Sequence, residues 1–319
     1  MNTVVRDILD GHVRKYYLKS AAEIIKNGGL VAFPTETVYG LGANALDPDA
    51  CAKIYAVKGR PSDNPLIMHI SDDMTLDGIA KNVPPQAKKL MDAFWPGSLT
   101  IVLQKDDAVQ SNFDTVGVRM PYTVWARLLI HYAGVPIAAP SANLSGRPSP
   151  TTAQHVLEDL DGKIEMILDG GPCPVGLEST VIDCSGDTPT ILRPGAVTRE
   201  MIEGLIGPVD MVSEVGANEA PKSPGMKYKH YAPNAKVIVV VGEPAKVRAK
   251  IEELAKNGHN TLILGDSMED IAANLFDRLR QCDEMGMDEV FVEGVEEQGL
   301  GVAIMNRLKK AASNNVLKV

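Results

Sequence analysis

Short apolar runs of strand length recur along the chain, and several end in a cluster of polar residues. Leu30-Val31-Ala32-Phe33 is continuous and reads as a buried strand. It runs straight into Pro34-Thr35-Glu36-Thr37-Val38-Tyr39-Gly40-Leu41-Gly42. A second run, Leu66-Ile67-Met68-His69-Ile70, follows Lys58-Gly59-Arg60-Pro61-Ser62-Asp63-Asn64-Pro65, and a third ends at Ala138-Ala139-Pro140-Ser141-Ala142-Asn143. Further strands are expected over Leu99 to Gln104, Thr115 to Met120, Glu165 to Leu168, Ser179 to Asp183 and Thr190 to Arg193. Helical spacing predicts helices over Ser20 to Asn27, Pro48 to Val57, Pro85 to Phe94, Thr123 to Tyr132 and Thr152 to Leu160. Several of these open with Ser, Thr or Pro in the first turn. Helices do not alternate strictly with strands, so this part is α/β of mixed rather than purely parallel character.

The pattern changes twice beyond this region. Residues 209 to 235 are rich in Gly, Pro, Ser and Lys without a sustained period, and read as a linker that carries unusually bulky groups at Met226, Tyr228, His230 and Tyr231. Residues 236 to 319 then repeat strand and helix cleanly. Strands at Lys236 to Val241, Thr261 to Leu264 and Glu289 to Glu293 precede helices at Pro244 to Lys256, Met268 to Cys282 and Gly301 to Ala312. Three such units predict a small parallel sheet covered by helices. Turns at Gly242 and Gly265 do not form Gly-x-Gly-x-x-Gly, so no dinucleotide site is expected there.

A length of 319 residues favours two domains over one core. The formal net charge of −9 argues against a broad basic surface for nucleic acid, though local basic patches stay open. Cys51, Cys173, Cys184 and Cys282 are scattered with no Cys-x-x-Cys pair, which suits reduced thiols in a cytoplasm and no zinc site. The first residues carry Arg6, Asp7 and Asp10 and no long apolar stretch, so neither signal peptide nor membrane anchor is expected.

Chemistry concentrates in two triplets, Lys58-Gly59-Arg60 and Ser141-Ala142-Asn143. In extended backbone, side chains at i and i+2 share a face, so each triplet would present a two-pronged grip. Lys and Arg suit phosphate oxygens, and Ser and Asn add donors without overcharging the site. Alone, Lys-x-Arg reads as a solvated surface pair and Ser-x-Asn equally as a turn; their position past strand ends, where open sheets build sites, points to a nucleotide triphosphate. There is no Walker-type Gly-x-x-x-x-Gly-Lys-Ser/Thr loop and no Gly-x-Ser-x-Gly elbow. Taken alone, His69 inside an apolar strand reads as a satisfied core histidine, and Arg119 could be a charge guarding a sheet edge. Glu36 and Glu178, in distant loops, make a weak case for paired carboxylates and stay outside the catalytic set.

These segments, with Phe94-Trp95-Pro96-Gly97, Val118-Arg119-Met120-Pro121, Gly176-Leu177-Glu178-Ser179-Thr180-Val181 and Ile191-Leu192-Arg193-Pro194-Gly195, resemble the threonylcarbamoyl-AMP synthase (YrdC-like) family. The resemblance runs in order over residues 15 to 208 and continues through Ser223-Pro224-Gly225-Met226-Lys227-Tyr228-Lys229-His230-Tyr231-Ala232-Pro233 into the longer, two-domain version. It implies a YrdC-like catalytic domain over residues 1 to 208, a twisted and mostly antiparallel mixed sheet with an open concave site. It further implies a linker over residues 209 to 235 lying on that site, and a small Rossmann-like parallel α/β domain over residues 236 to 319. The implied reaction takes L-threonine, bicarbonate and ATP to threonylcarbamoyl-AMP and pyrophosphate, with Mg²⁺ entering through ATP and no metal held directly by protein. The resemblance implies ATP ligands at Lys58, Ser62, Ser141, Asn143, Ser149, Arg193 and Tyr231, with Arg60 completing the cationic pair. Lys58, Arg60, Ser141 and Asn143 form the expected catalytic set. Thr35, His69, Thr115, Arg119, Ala139 and Ser179 form the implied threonine pocket.

The family serves threonylcarbamoyladenosine modification beside the tRNA anticodon, so the resemblance implies hand-over to the tRNA threonylcarbamoyltransferase complex and leaves a weak tRNA contact open. Two other functions compete. An RNA-binding module of this fold is disfavoured by acidity and scarce aromatics. Carbamoyl-phosphate-linked transfer, as in hydrogenase-maturation proteins, needs zinc-finger and acylphosphatase segments for which the chain has neither cysteines nor room.

Overall fold

The computed structural model describes residues 2–72, 74–212 and 230–319. The first half begins with β1 (Val4–Asp7), α1 (Arg14–Lys26), β2 (Val31–Phe33), β3 (Gly40–Asn44), α2 (Pro48–Lys58) and β4 (Ile67–His69). It continues with β5 (Ala80–Lys81), α3 (Pro85–Phe94), β6 (Leu99–Lys105), β7 (Thr115–Arg119), α4 (Val124–Ala133) and β8 (Ile137–Ala138). α5 (Ala153–Leu160), β9 (Met166–Asp169), β10 (Thr180–Asp183), β11 (Thr190–Arg193), α6 (Arg199–Ile206) and β12 (Asp210–Met211) complete it. The second half holds β13 (Lys236–Val241), α7 (Pro244–Lys256), β14 (Thr261–Leu262), α8 (Met268–Glu284), β15 (Glu289–Glu293), α9 (Leu300–Ala311) and β16 (Val316–Lys318).

A large sheet runs β1-β9-β2-β3-β8-β4-β7-β6-β10-β11-β12, with β5 added beside β6. Parallel and antiparallel pairs interleave: β4 lies parallel to β7 and β6 parallel to β10, while β2–β3, β3–β8, β8–β4 and β6–β7 are antiparallel. The sheet is therefore mixed, as expected. A separate sheet, β14-β15-β13-β16, is parallel throughout.

β3 is the least obvious element in the sequence, because Gly40 and Gly42 look like turn residues. A side chain at Gly42 would sit 2.8 Å from both Phe33 and Ile137, so glycine is what lets three strands close here. The segment ahead of it is a compact turn held by Thr35, whose hydroxyl donates to the Val38 carbonyl at 2.7 Å.

The two halves share a core. Val38, Leu177 and Tyr231 pack with Leu275, Phe276, Leu279 and Leu308 of α8 and α9. Two arginines of the second half are also buried in this boundary: Arg280 is 2% exposed and Arg307 0%. Arg280 donates to Asp159 at 2.9 Å and to the Pro148 carbonyl at 2.6 Å. Burying a guanidinium is tolerable when its charge is met, and Asp159, fully enclosed, supplies the charge, while Arg280 Nε is left without a hydrogen-bond partner. Among the described residues no helix is long and apolar enough to cross a membrane.

Candidate active site

Strand pairing brings the site together. Parallel β4 and β7 place His69 directly beside Arg119. Parallel β6 and β10 place Thr100 near Ser179, whose hydroxyls lie 2.8 Å apart, and antiparallel β11 brings Arg193 back against the start of β10. The resulting pocket is lined by Thr35, Arg60, His69, Arg119, Ala139, Ser141, Asn143, Ser149, Ser179, Arg193 and Tyr231, together with Thr37, Glu178 and His230.

Lys58-Gly59-Arg60 does not form the extended two-pronged grip that its spacing suggests. Lys58 is the last residue of α2, and Gly59 turns the chain in the left-handed conformation (φ 61°). The Lys58 amine therefore points inward, donating to the Ser141 carbonyl at 2.6 Å and to the Asn143 carbonyl. It sits beneath the pocket floor and pins the Ser141–Asn143 loop. Burial, with Arg60 nearby, pushes its pKa well below the usual lysine value. Arg60 reaches the wall, braced on the Pro65 carbonyl at 3.0 Å, and burial lowers it to about 10, so it stays charged.

Asn143 presents an acceptor rather than the expected donor. Its amide nitrogen donates to the carbonyls of Leu144 and Arg147 at 2.8 and 2.9 Å, which fixes the amide orientation and leaves Oδ1 buried with no hydrogen-bond partner. Ser149 behaves alike: its hydroxyl donates to Glu178, so toward the cavity it offers lone pairs only.

On the opposite wall Arg119 donates to Glu36 at 2.5 Å, to Thr37 at 2.9 Å and to the Gly97 carbonyl at 3.1 Å. Glu36 also accepts from Ser98 and from the Tyr122 backbone. Burial raises the Glu36 pKa, but Arg119 and these donors outweigh it and hold the carboxyl below its usual value. His69, with Nδ1 3.2 Å from the Ile67 carbonyl, is pushed down to about 3 by burial and by Arg119, and is neutral at pH 7. Arg193 donates to the Ser179 carbonyl at 3.1 Å, to its hydroxyl at 3.2 Å, and to Tyr231.

Tyr231 closes one side. It adopts a positive φ of 66°, stacks on Phe276 with centroids 5.3 Å apart, and lies 4% exposed. That conformation costs energy for a residue with a Cβ, and packing from α8 holds it there. Of the linker expected over residues 209 to 235, residues 213–229 lie outside the described residues.

Besides Lys58, two expected site residues are not on the wall. Ser62 is exposed in the turn after α2. Thr115 pairs with Gln104 at the far end of β7 from Arg119, so strand length separates it from the pocket. Conversely, Glu36 and Glu178, outside the expected set, are the buried counter-ions of the site. Among the described residues no group of three or more His, Cys, Asp or Glu gathers.

An arginine-lined pocket at strand ends on a mixed sheet, with buried acceptors beside the cations, defines a small-molecule site for a ligand carrying both anionic and hydroxyl groups. The Sua5/YciO/YrdC family model, described as "Telomere recombination", matches residues 23–195, and the model for "Threonylcarbamoyl-AMP synthase, C-terminal domain" matches residues 197–313. A "Threonylcarbamoyl-AMP synthase" of Pyrococcus abyssi is 49% identical, covering 96% of this chain and 97% of its own length. One of Bacillus subtilis is 46% identical over 94% of each. The structure of P. abyssi Sua5 complexed with L-threonine superposes with a TM-score of 0.93 at 46% identity, over 100% of both chains. The chain belongs to this two-domain Sua5/YrdC family of threonylcarbamoyl-AMP synthases.

Proposed function

We propose that the chain makes threonylcarbamoyl-AMP and pyrophosphate from L-threonine, bicarbonate and ATP. The observation that carries this reading is the division of one pocket into two walls, in a chain similar throughout to a protein solved with L-threonine. Arg119 lines the cavity with a guanidinium suited to a carboxylate, and neutral His69, Thr35 and Ser179 line the same pocket for the hydroxyl and amine. Arg60 and Arg193 face the phosphates. The acceptors Asn143 Oδ1 and Ser149 Oγ suit ribose hydroxyls or the adenine amino group rather than phosphate oxygens. Among the described pocket-lining residues one buried oxygen, Asn143 Oδ1, is unpartnered, which fits Mg²⁺ that arrives on the phosphates, where it would neutralise their charge, better than a protein cage of carboxylates.

The threonine amine is carboxylated, with loss of water from bicarbonate. The carbamate oxygen then forms a bond to the α-phosphorus as the bond to pyrophosphate breaks. The attacking oxygen already carries negative charge, so the step asks for alignment and charge neutralisation and no general base is assigned. In this reading residues 1 to 208 form the catalytic domain, residues 209 to 235 the linker whose Tyr231 lines the pocket, and residues 236 to 319 the second domain. The product is handed on for threonylcarbamoyladenosine modification of tRNA in the cytoplasm.

L-threonine is expected to bind at least about 10²-fold more tightly than L-valine, because valine leaves buried polar groups unpaired. Calorimetry checks this, and equal affinities would overturn the threonine assignment of this wall.

A further inference from the structure

The carboxylate of Glu178 stands on the nucleotide wall, where a polyanion would meet a full negative charge. Its counter-ion comes from the second half of the chain. Arg307 of α9, fully buried, donates through Nε to Glu178 Oε2 at 3.1 Å and through Nη2 to the Glu178 carbonyl at 3.3 Å. Nη1 reaches the Pro194 carbonyl at 2.5 Å, beside Arg193, and the guanidinium lies 5.7 Å from the Tyr231 ring centre. The other oxygen of Glu178 accepts the Ser149 hydroxyl. One arginine thus touches the supports of Ser149, Arg193 and Tyr231 without lining the pocket itself.

We propose that Arg307 is a positioning residue for the nucleotide that acts through Glu178: it offsets the charge this carboxylate would otherwise turn on the phosphates. This gives the C-terminal domain a direct part in nucleotide affinity, and it rests on the ATP reading above. By contrast Glu36, the carboxylate behind the threonine wall, is paired by Arg119 from within the large sheet. The second half therefore supplies a counter-ion on the nucleotide side of the pocket and none for Glu36.

The inference separates from a plain folding role through kinetics. Arg307→Met removes the ion-pair partner of Glu178 and leaves the anionic nucleotide facing a less compensated carboxylate in both ground and transition states, so KM for ATP is expected to rise at least ~10-fold, with kcat and KM for L-threonine within about 3-fold. The double variant Glu178→Gln/Arg307→Met removes the charge together with its counter-ion and should bring KM for ATP back to within about 3-fold of wild type. Unchanged KM for ATP in Arg307→Met, a joint rise of both KM values with a fall in kcat, or no recovery in the double variant would each overturn the inference. If Arg307→Met alone does not fold, the double variant decides: soluble with near-wild-type KM for ATP supports the proposal, whereas a raised KM or insolubility refutes it. A wild-type protein that does not consume ATP would instead remove the nucleotide reading itself.

Discussion

Arg119→Met should lower folding stability by about 3–5 kcal/mol, because it leaves Glu36 as a buried charge without a counter-ion. It should also abolish L-threonine binding. Glu36 is held below its usual pKa even though burial alone would raise it, so the pair contributes its stability above the unfolded carboxylate pKa and loses it as pH falls through the lower folded value. The double variant Glu36→Gln/Arg119→Met replaces the pair with neutral groups. Most of the stability should return, since a buried ion pair is worth little more than a well-packed neutral replacement. Threonine binding should not return, because its carboxylate has lost the fork. Urea midpoints and calorimetry on the three proteins check both halves. A single variant with the wild-type midpoint would show that Arg119 and Glu36 are not paired as described.

Lys58→Met should reduce kcat/KM for ATP by about 10²-fold or more while leaving L-threonine affinity near wild type. The amine holds two carbonyls of the Ser141–Asn143 loop, and each buried carbonyl left without a donor costs about 1–3 kcal/mol. Every 1.4 kcal/mol or so transmitted to the transition state is tenfold in rate. Lys58→Arg should not rescue, since a branched guanidinium does not fit a slot closed around one nitrogen. The check is pyrophosphate release at subsaturating ATP; a rate within about 3-fold of wild type would mean the loop needs no such pin.

The strand and helix periods predicted the elements that make the pocket because buried strands and amphipathic helices leave strong local patterns. Pro85–Phe94, Thr190–Arg193, Lys236–Val241 and Pro244–Lys256 match their expected bounds. β3 escaped because its glycines serve a close approach between Phe33 and Ile137, a long-range demand invisible in local sequence. β16, three residues long, is too short for a period to show. At the site, residue types were legible but not their partners. The spacing shows Lys58 as a cation but not its carbonyl partners, which lie far away in sequence. Glu178 looked isolated because its partner Arg307 lies in the other half of the chain. One signal was nonetheless present: Leu300, Ala303, Ile304, Leu308 and Ala311 form the apolar stripe of α9, and Arg307 sits within it. A charge inside such a stripe needs a buried partner, and Arg280 within α8 repeats the pattern.

Incubation of the protein with labelled bicarbonate, L-threonine and Mg-ATP tests the central claim most directly. The label is expected in a single species with the mass of threonylcarbamoyl-AMP, formed with equimolar pyrophosphate and only when all three substrates are present. ATP turnover without incorporation of label, or incorporation that does not depend on L-threonine, would contradict the account.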